Sequence, residues 1–297
     1  MRIVYATDLS PEALAGAYMG FALARHLQNG GTDVEFDILH VIEESGISGR
    51  LLGGGDIDTQ SIEKSLRKWV DENIEGPVDF GLTVLQGKPV DEIREFVDEK
   101  NADLLVMGQS GKGTFTRMVL GSTAHNIAQS PPCEILFAHR EFDGFRRPCR
   151  FVVATDFSQA SGRALRETAE LARQMKAEVD VVHVFEVPKQ PAFPGGIAGY
   201  QVPSEEIDGF RREAEDRMSD FVDDHAGVLE GLTVRREVLS GSPTQQLVEY
   251  AVTKNADIIG LATADDTSMG KRLLGSVASG VVRQMPTSTM LVPPAGK

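Results

Sequence analysis

Short apolar runs alternate with longer stretches of helical period along the whole chain. The apolar runs predict strands over 2–6, 34–41, 80–85, 104–107 and 134–138. They predict a second set over 151–154, 179–184, 233–239, 258–261 and 288–292. Between them lie amphipathic stretches such as 89–100, where Val90, Ile93, Phe96 and Val97 recur at the spacing of one helix face. Several strand runs are apolar without alternation, as expected of strands covered on both faces. Strand–helix–strand alternation implies a parallel sheet with right-handed crossovers. The first helix of each set has a start signal: Ser10 stands as a cap before Pro11, whose missing N–H costs nothing in a first turn, and Ser158 takes the same place later.

The two sets of elements repeat in detail. Ala6-Thr7-Asp8-Leu9-Ser10 returns as Ala154-Thr155-Asp156-Phe157-Ser158, and Leu39-His40-Val41 as Val182-His183-Val184. Lys100-Asn101-Ala102-Asp103 returns as Lys254-Asn255-Ala256-Asp257, and Leu120-Gly121-Ser122 as Leu274-Gly275-Ser276. The order is kept, so the chain is a duplicated α/β unit. The expected division is a first domain over 1–140, a linker over 141–149 containing Gly144 and Pro148, and a second domain over 150–297. With 297 residues and 41% hydrophobic content, the chain can bury two ordinary cores.

The formal charge is −14. A surface this acidic repels phosphate backbones and anionic membranes, which argues against general nucleic-acid binding. No apolar run reaches the length of a membrane span. Residues 2–6 read as a strand and not as a secretory leader. The two cysteines, Cys133 and Cys149, have neither zinc-site nor redox-pair spacing, and a reduced cytoplasmic location is the natural expectation.

The sharpest chemical signal follows the fourth predicted strand: Gly108-Gln109-Ser110-Gly111-Lys112-Gly113-Thr114, then Leu120-Gly121-Ser122-Thr123. Glycines let backbone amides approach a ligand, and successive amides form an anion-binding concavity. Gly121-Ser122-Thr123 sits where a helix begins, and free N–H groups there favour phosphate. Ser122 and Thr123 add hydroxyl donors, and Lys112 a point charge. The bland alternative is a turn followed by a cap. A P-loop is excluded, because Gly113 and not Ser or Thr follows Lys112, and Val106 stands where that motif needs glycine.

The spacing G-x2-G-x9-G-[S/T], met by Gly108, Gly111, Gly121 and Ser122, together with the duplicated unit and Asp8 at the end of the first strand, resembles the universal stress protein superfamily. The resemblance covers nearly the whole chain and is that of a tandem, two-domain member. It implies Rossmann-like domains, each a five-stranded parallel sheet in order 3-2-1-4-5, paired through their last strands as an internal pseudo-dimer. It also implies ATP, or AMP or ADP, on the glycine loop, with Asp8 and Val41 lining the adenine–ribose end and Val41 reading the base through its backbone.

Aligned without gaps from Leu104 and Ile258, Gly108 meets Ala262, Gly111 meets Asp265 and Gly113 meets Thr267, while Gly121-Ser122 is kept as Gly275-Ser276. Two like charges at 4 Å interact by about 4 kcal/mol at an effective dielectric of 20, whereas a helix N-terminus returns about 0.3–1 kcal/mol, or ~2 when partly buried. One nucleotide per chain, in the first domain, is therefore expected, with the second domain a degenerate partner. The retained Gly275-Ser276 points to a capping and helix-packing task for this segment as well. Asp8 and Asp156 offer a base, a metal ligand, a ribose acceptor or a cap of the following helix. His40 and His183 read as core histidines, and Arg211, Arg212 and Arg217 as part of a salt-bridged helix. His125, on the helix after the loop, has Ser279 as its counterpart and no evident orienting partner. The expected role is regulatory binding in a stress response, through ordering of the loops at 44–58 and 188–203 and contact with a protein partner. The alternatives are a slow ATPase with Asp8 positioning water or Mg²⁺, and a scaffold whose clefts hold no nucleotide, or hold another small ligand in the second domain. Magnesium goes with the bound nucleotide, and a homodimer is compatible with each of these readings.

Overall fold

The structure is a computed structural model, which describes residues 1–43, 59–74, 78–109, 120–187, 203–263 and 274–294. The loops expected to act as lids, 44–58 and all but the last residue of 188–203, lie outside the described residues. The first half contains β1 (Arg2–Thr7), a 3₁₀ turn (Pro11–Ala13), α1 (Leu14–Asn29), β2 (Glu35–Glu43), α2 (Thr59–Asn73) and β3 (Gly81–Gly87). It continues with α3 (Pro89–Lys100), β4 (Leu104–Gly108), α4 (Ser122–Gln129) and β5 (Glu134–Ala138). The second half contains β6 (Arg150–Ala154), α5 (Gln159–Met175), β7 (Glu178–Phe185), α6 (Ser204–Asp224), α7 (Ala226–Leu229) and β8 (Val234–Ser240). It ends with α8 (Pro243–Thr253), β9 (Ile258–Ala262), α9 (Ser276–Gln284) and β10 (Ser288–Val292).

All ten strands lie in one sheet of order β3-β2-β1-β4-β5-β10-β9-β6-β7-β8. Each half is parallel throughout and has the 3-2-1-4-5 order that the resemblance implies. The halves join through β5 and β10, which run antiparallel with Leu136 opposite Met290. The carboxyl ends of the two sets of strands therefore leave the sheet in opposite directions. Along β1, Ile3 and Tyr5 enter one buried cluster and Val4 and Ala6 another, and β4 and β5 alternate in the same way. Helices cover both faces, which is why these strands show continuous apolar runs. Both clusters include residues of both halves. An ion pair, Arg163 to Glu134 at 3.3 Å, also spans the junction.

The repeated Asn-Ala-Asp has a backbone explanation. Asn101 and Asn255 take left-handed φ values of 47° and 51° after their helices. The aspartate two residues on then clamps the strand that begins its half. Asp103 Oδ2 accepts from the Arg2 amide at 2.7 Å. Asp257, 2% exposed, accepts from the amides of Arg146 (2.9 Å) and Arg150 (2.8 Å). The second clamp thereby also fixes the end of the connection between the halves.

One of the two helix starts differs from expectation. Ser158 caps α5, its Oγ accepting from the Ser161 amide at 3.2 Å. Ser10 makes no cap bond, because the chain enters a 3₁₀ turn before α1, and its buried hydroxyl has no hydrogen-bond partner among the described residues. The Ala13 carbonyl of that turn accepts instead from Tyr5 Oη at 2.7 Å.

Candidate functional site

β1 ends in a tight side-chain-supported turn. Asp8 Oδ1 accepts from the Ser10 amide at 3.0 Å and Thr7 Oγ1 from the Leu9 amide at 3.1 Å, while Leu9 takes φ 61°. The His40 ring on β2 donates through Nδ1 to the Thr7 carbonyl at 2.9 Å. The carboxylate thus has a turn-forming task whether or not it meets a ligand. In the second half, Asp156 Oδ1 accepts from the Ser158 amide, Thr155 Oγ1 from the Phe157 amide, and His183 Nδ1 donates to the Thr155 carbonyl. Both histidines are accordingly partly buried and anchored to backbone.

The expected nucleotide residues of the first half fall into two groups. Asp8, Val41 and Gly108 belong to the carboxyl-end regions of β1, β2 and β4, three neighbouring strands. Gly121, Ser122 and Thr123 form the start of α4, where Gly121 makes no side-chain cap bond and Ser122 is exposed. The first amides of a helix have no partner within it and take an acceptor from outside. Gly111, Lys112 and Gly113 lie outside the described residues. Gly108 also has a packing role that its motif position hides: a Cβ there would lie 2.7 Å from Ala13 Cα and 3.0 Å from the Ala13 carbonyl oxygen. Gly16 on α1 approaches equally closely, its missing Cβ 2.7 Å from the Gly108 nitrogen. Gln109, next to Gly108, was not singled out by the sequence. It is 6% exposed, and its Oε1 has no hydrogen-bond partner among the described residues.

The second half holds a cavity of about 580 Å³ at the matching edge, over the ends of β6, β7 and β9. Val182, Val184, Leu247 and Leu261 supply apolar wall, and Gly275 to Ala278, the start of α9, supplies another side. Asp156 and His183 line it as well. Burial disfavours the Asp156 charge, but hydrogen bonds from Ser158 and Ser161 outweigh it and hold the carboxyl below its usual range. Burial, opposed by the bond to Thr155, lowers His183 below the ordinary histidine range. Phe157 lies against the His183 ring at 4.2 Å between centroids, and the Arg217 guanidinium covers Phe157 at 4.7 Å. Arg217 is thus part of this stack and not merely of a salt-bridged helix. Ala262 stands where the first half has Gly108, matched by Ser161 and Ala164 in place of Ala13 and Gly16. Asp265 and Thr267 lie outside the described residues. The cavity escaped sequence reasoning because it is a shape left partly by small side chains, Ala154, Ala262 and Ala278 among them, and no motif encodes such a shape.

Comparison with known proteins gives a consistent answer. The universal stress protein family model matches twice, over residues 1–139 and 149–293. Universal stress protein MJ0531 of Methanocaldococcus jannaschii is 27% identical over 143 residues, covering 48% of this chain and 81% of its own. A universal stress protein of Archaeoglobus fulgidus of known structure shares the fold, with a TM-score of 0.67 at 19% identity, over 99% of this chain and 98% of its own. A universal stress protein solved in complex with cAMP is 26% identical over 48% of this chain and 95% of its own, with a TM-score of 0.32. With both halves matched by the family model and one ten-stranded sheet built from two copies of its topology, the chain belongs to the universal stress protein family.

Proposed function

We propose that the N-terminal half binds an adenine nucleotide, with ATP as the principal ligand and AMP or ADP held by the same contacts. The chain then acts by regulatory binding in a stress response. The supporting observation is the complete glycine spacing from Gly108 through Gly111 to Gly121-Ser122, met in this half and broken in the other. The N-cap residue of helix α4 is Gly121, which has no side chain to cap the first amides, an arrangement suited to an anion. In this assignment Gly108, Gly111, Gly113, Gly121, Ser122 and Thr123 receive the phosphates, Lys112 adds charge, and Asp8 and the Val41 backbone receive ribose and base. A phosphate supplies the negative charge that this donor set lacks. Among the described residues no three His, Cys, Asp or Glu side chains converge, so magnesium enters this proposal carried by the phosphates. The division into domains over 1–140 and 150–297, the cytoplasmic location, the protein partner and any pairing of two chains belong to the same proposal. No helix among the described residues is long and apolar enough to cross a membrane.

Calorimetry with ATP tests the assignment. One site per chain is expected, lost at least tenfold in Gly111→Asp, which imports the residue found at the matching position of the second half. Two equivalent sites, or undiminished affinity in the variant, would overturn it. ATP hydrolysis compared between the parent and Asp8→Asn separates binding from slow catalysis.

A further inference from the structure

The sheet ends in β3 on one side and β8 on the other, and the two edges are not equally guarded. An edge strand carries unpaired N–H and C=O groups that a further strand can take up, and proteins protect such edges with charge or a covering element. β8 is protected. The Val179 amide donates to the Thr233 carbonyl and the Gly241 amide to the Phe185 carbonyl, so the odd-numbered residues of β8 face β7 and the even-numbered ones face outward. Arg211 of α6 donates to the outward Val238 carbonyl at 3.2 Å, and Arg235 and Arg236 stand exposed on the strand.

β3 has neither guard. Val84 lies opposite His40 as Val238 lies opposite His183, so Leu82, Val84 and Gln86 turn their main-chain groups outward. Among the described residues no side chain bonds to these groups, and Gly81 and Gln86 are exposed. Residues 80–87 contain neither a charged side chain nor a proline. In a chain of formal charge −14, such a neutral edge lets two copies meet without like charges opposed.

The strand also suits pairing with itself. A two-fold axis normal to the sheet makes the pair antiparallel, and full overlap of Gly81–Gly87 puts that axis at Val84. Val84 then faces Val84 of the second copy, Leu82 faces Gln86, and Thr83 faces Leu85. Each outward residue exchanges a donor and an acceptor with the residue opposite. Beyond the strand, Lys88 comes opposite Phe80 of the second copy and one residue from its Asp79, so the flanking charges are of opposite sign. Joining β3 to β8 instead would be a head-to-tail contact that builds an open chain. Arg211 on the Val238 carbonyl stands against that, so the assembly closes at two copies.

We infer that β3 is a self-recognition edge, through which two copies of this chain join antiparallel about an axis at Val84. The seam of β5 and β10 uses the same antiparallel mode within one chain. Pairing of two chains, part of the function proposed above, thereby receives a surface, and none of the residues assigned to the nucleotide belongs to the paired strand.

Sedimentation equilibrium of the full chain, with no nucleotide present, tests it. A monomer–dimer equilibrium is expected. Gln86→Pro removes an outward N–H that makes no bond within its own sheet, so the fold keeps its ladder. One hydrogen bond is lost on each side of the axis, and the dimer dissociation constant should rise about tenfold or more. Val84→Cys gives an independent readout, because opposed residues of such a pair lie about 5.5 Å apart at Cα, within disulfide reach. Mild oxidation should link Val84→Cys into a covalent dimer and leave Gln86→Cys and the parent unlinked. A purely monomeric parent would overturn the inference and leave the edge to a segment of another protein. A ladder of higher oligomers would overturn it in favour of β3 meeting β8. A dimer indifferent to Gln86→Pro, or Gln86→Cys linking as readily as Val84→Cys, would overturn it as well. ATP binding by a chain that stays monomeric would sink this inference alone, and a dimer that binds no ATP would sink the nucleotide assignment alone.

Discussion

Gly108→Ala separates packing from ligand contact at one motif residue. The added Cβ would meet Ala13 Cα at 2.7 Å, whereas ordinary contact begins at 3.4 Å, so the 3₁₀ turn has to move by about 0.7 Å, the difference of those distances. Truncating the Ala13 side chain would not relieve this, because the contacts are to backbone. Nor is Ala13 free to move, since its carbonyl accepts from the buried Tyr5 hydroxyl at 2.7 Å. Overpacking of this kind costs about 1–3 kcal/mol, and strain on the Tyr5 bond adds about 0.5–1.5 kcal/mol. The sum is about 1.5–4.5 kcal/mol. At about 2–4 °C per kcal/mol for a domain of this size, the melting temperature of the N-terminal half should fall by roughly 3–18 °C. Thermal unfolding with no nucleotide present measures it. The matching control, Ala262→Gly, should cost about 0.5–1 kcal/mol, the ordinary entropy of glycine. Tyr5→Phe releases the tether on Ala13, so Tyr5→Phe with Gly108→Ala should cost less than the two changes summed. A Gly108→Ala protein within about 0.5 kcal/mol of the parent, the scatter typical of neutral surface changes, would refute the close-approach explanation. So would strictly additive effects.

Asp257→Ala leaves two backbone donors without their acceptor and should destabilise by about 2–5 kcal/mol. Asp103→Ala removes one exposed bond and should cost about 0.5–1.5 kcal/mol, both read by urea unfolding. Ser158→Ala should cost about 0.5–2 kcal/mol as a lost cap, whereas Ser10→Ala should be neutral within about 0.5 kcal/mol, because that hydroxyl caps nothing. His26, His139 and His183 are each lowered mainly by burial. Their unfolded forms take up protons near pH 6.5 that the fold refuses, so they withdraw stability as pH falls from about 7 to 5. Glu134, raised by burial, returns part of it near its own range, and the contribution of Asp156 is lost only below about pH 4. Urea midpoints at pH 7.5 and 5.0 should show a net fall that His183→Gln reduces; an unchanged slope in that variant would contradict the assignment to His183.

The fold was legible because its signals are periodic and local. All ten strands appear where apolar runs predicted them, and α3 spans 89–100 as the spacing of Ile93, Phe96 and Val97 requires. The duplicated tetrapeptides marked positions the architecture needs, but not why it needs them. The clamp of Asp103 on Arg2 joins residues 101 positions apart, and nothing in either neighbourhood reveals it. The same holds for Gly108, which looks like a ligand glycine until Ala13 is seen against it. Ser10 and Ser158 both close an Ala-Thr-Asp-x-Ser run, yet only Ser158 caps, because the first half enters its helix through a 3₁₀ turn. The cavity over β6, β7 and β9 was illegible for a different reason: it is made of what side chains leave empty.

The antiparallel seam of β5 and β10 has a consequence for mass action. Two separate single-unit proteins joined by such a seam would come apart on dilution. Here the second copy is tethered, and a short connection sets its effective concentration on the order of millimolar whatever the abundance of the chain. Association no longer depends on expression level, and the two members of the pair need not stay alike. One copy can then keep the full glycine loop while the other changes its cleft, and neither change costs the union.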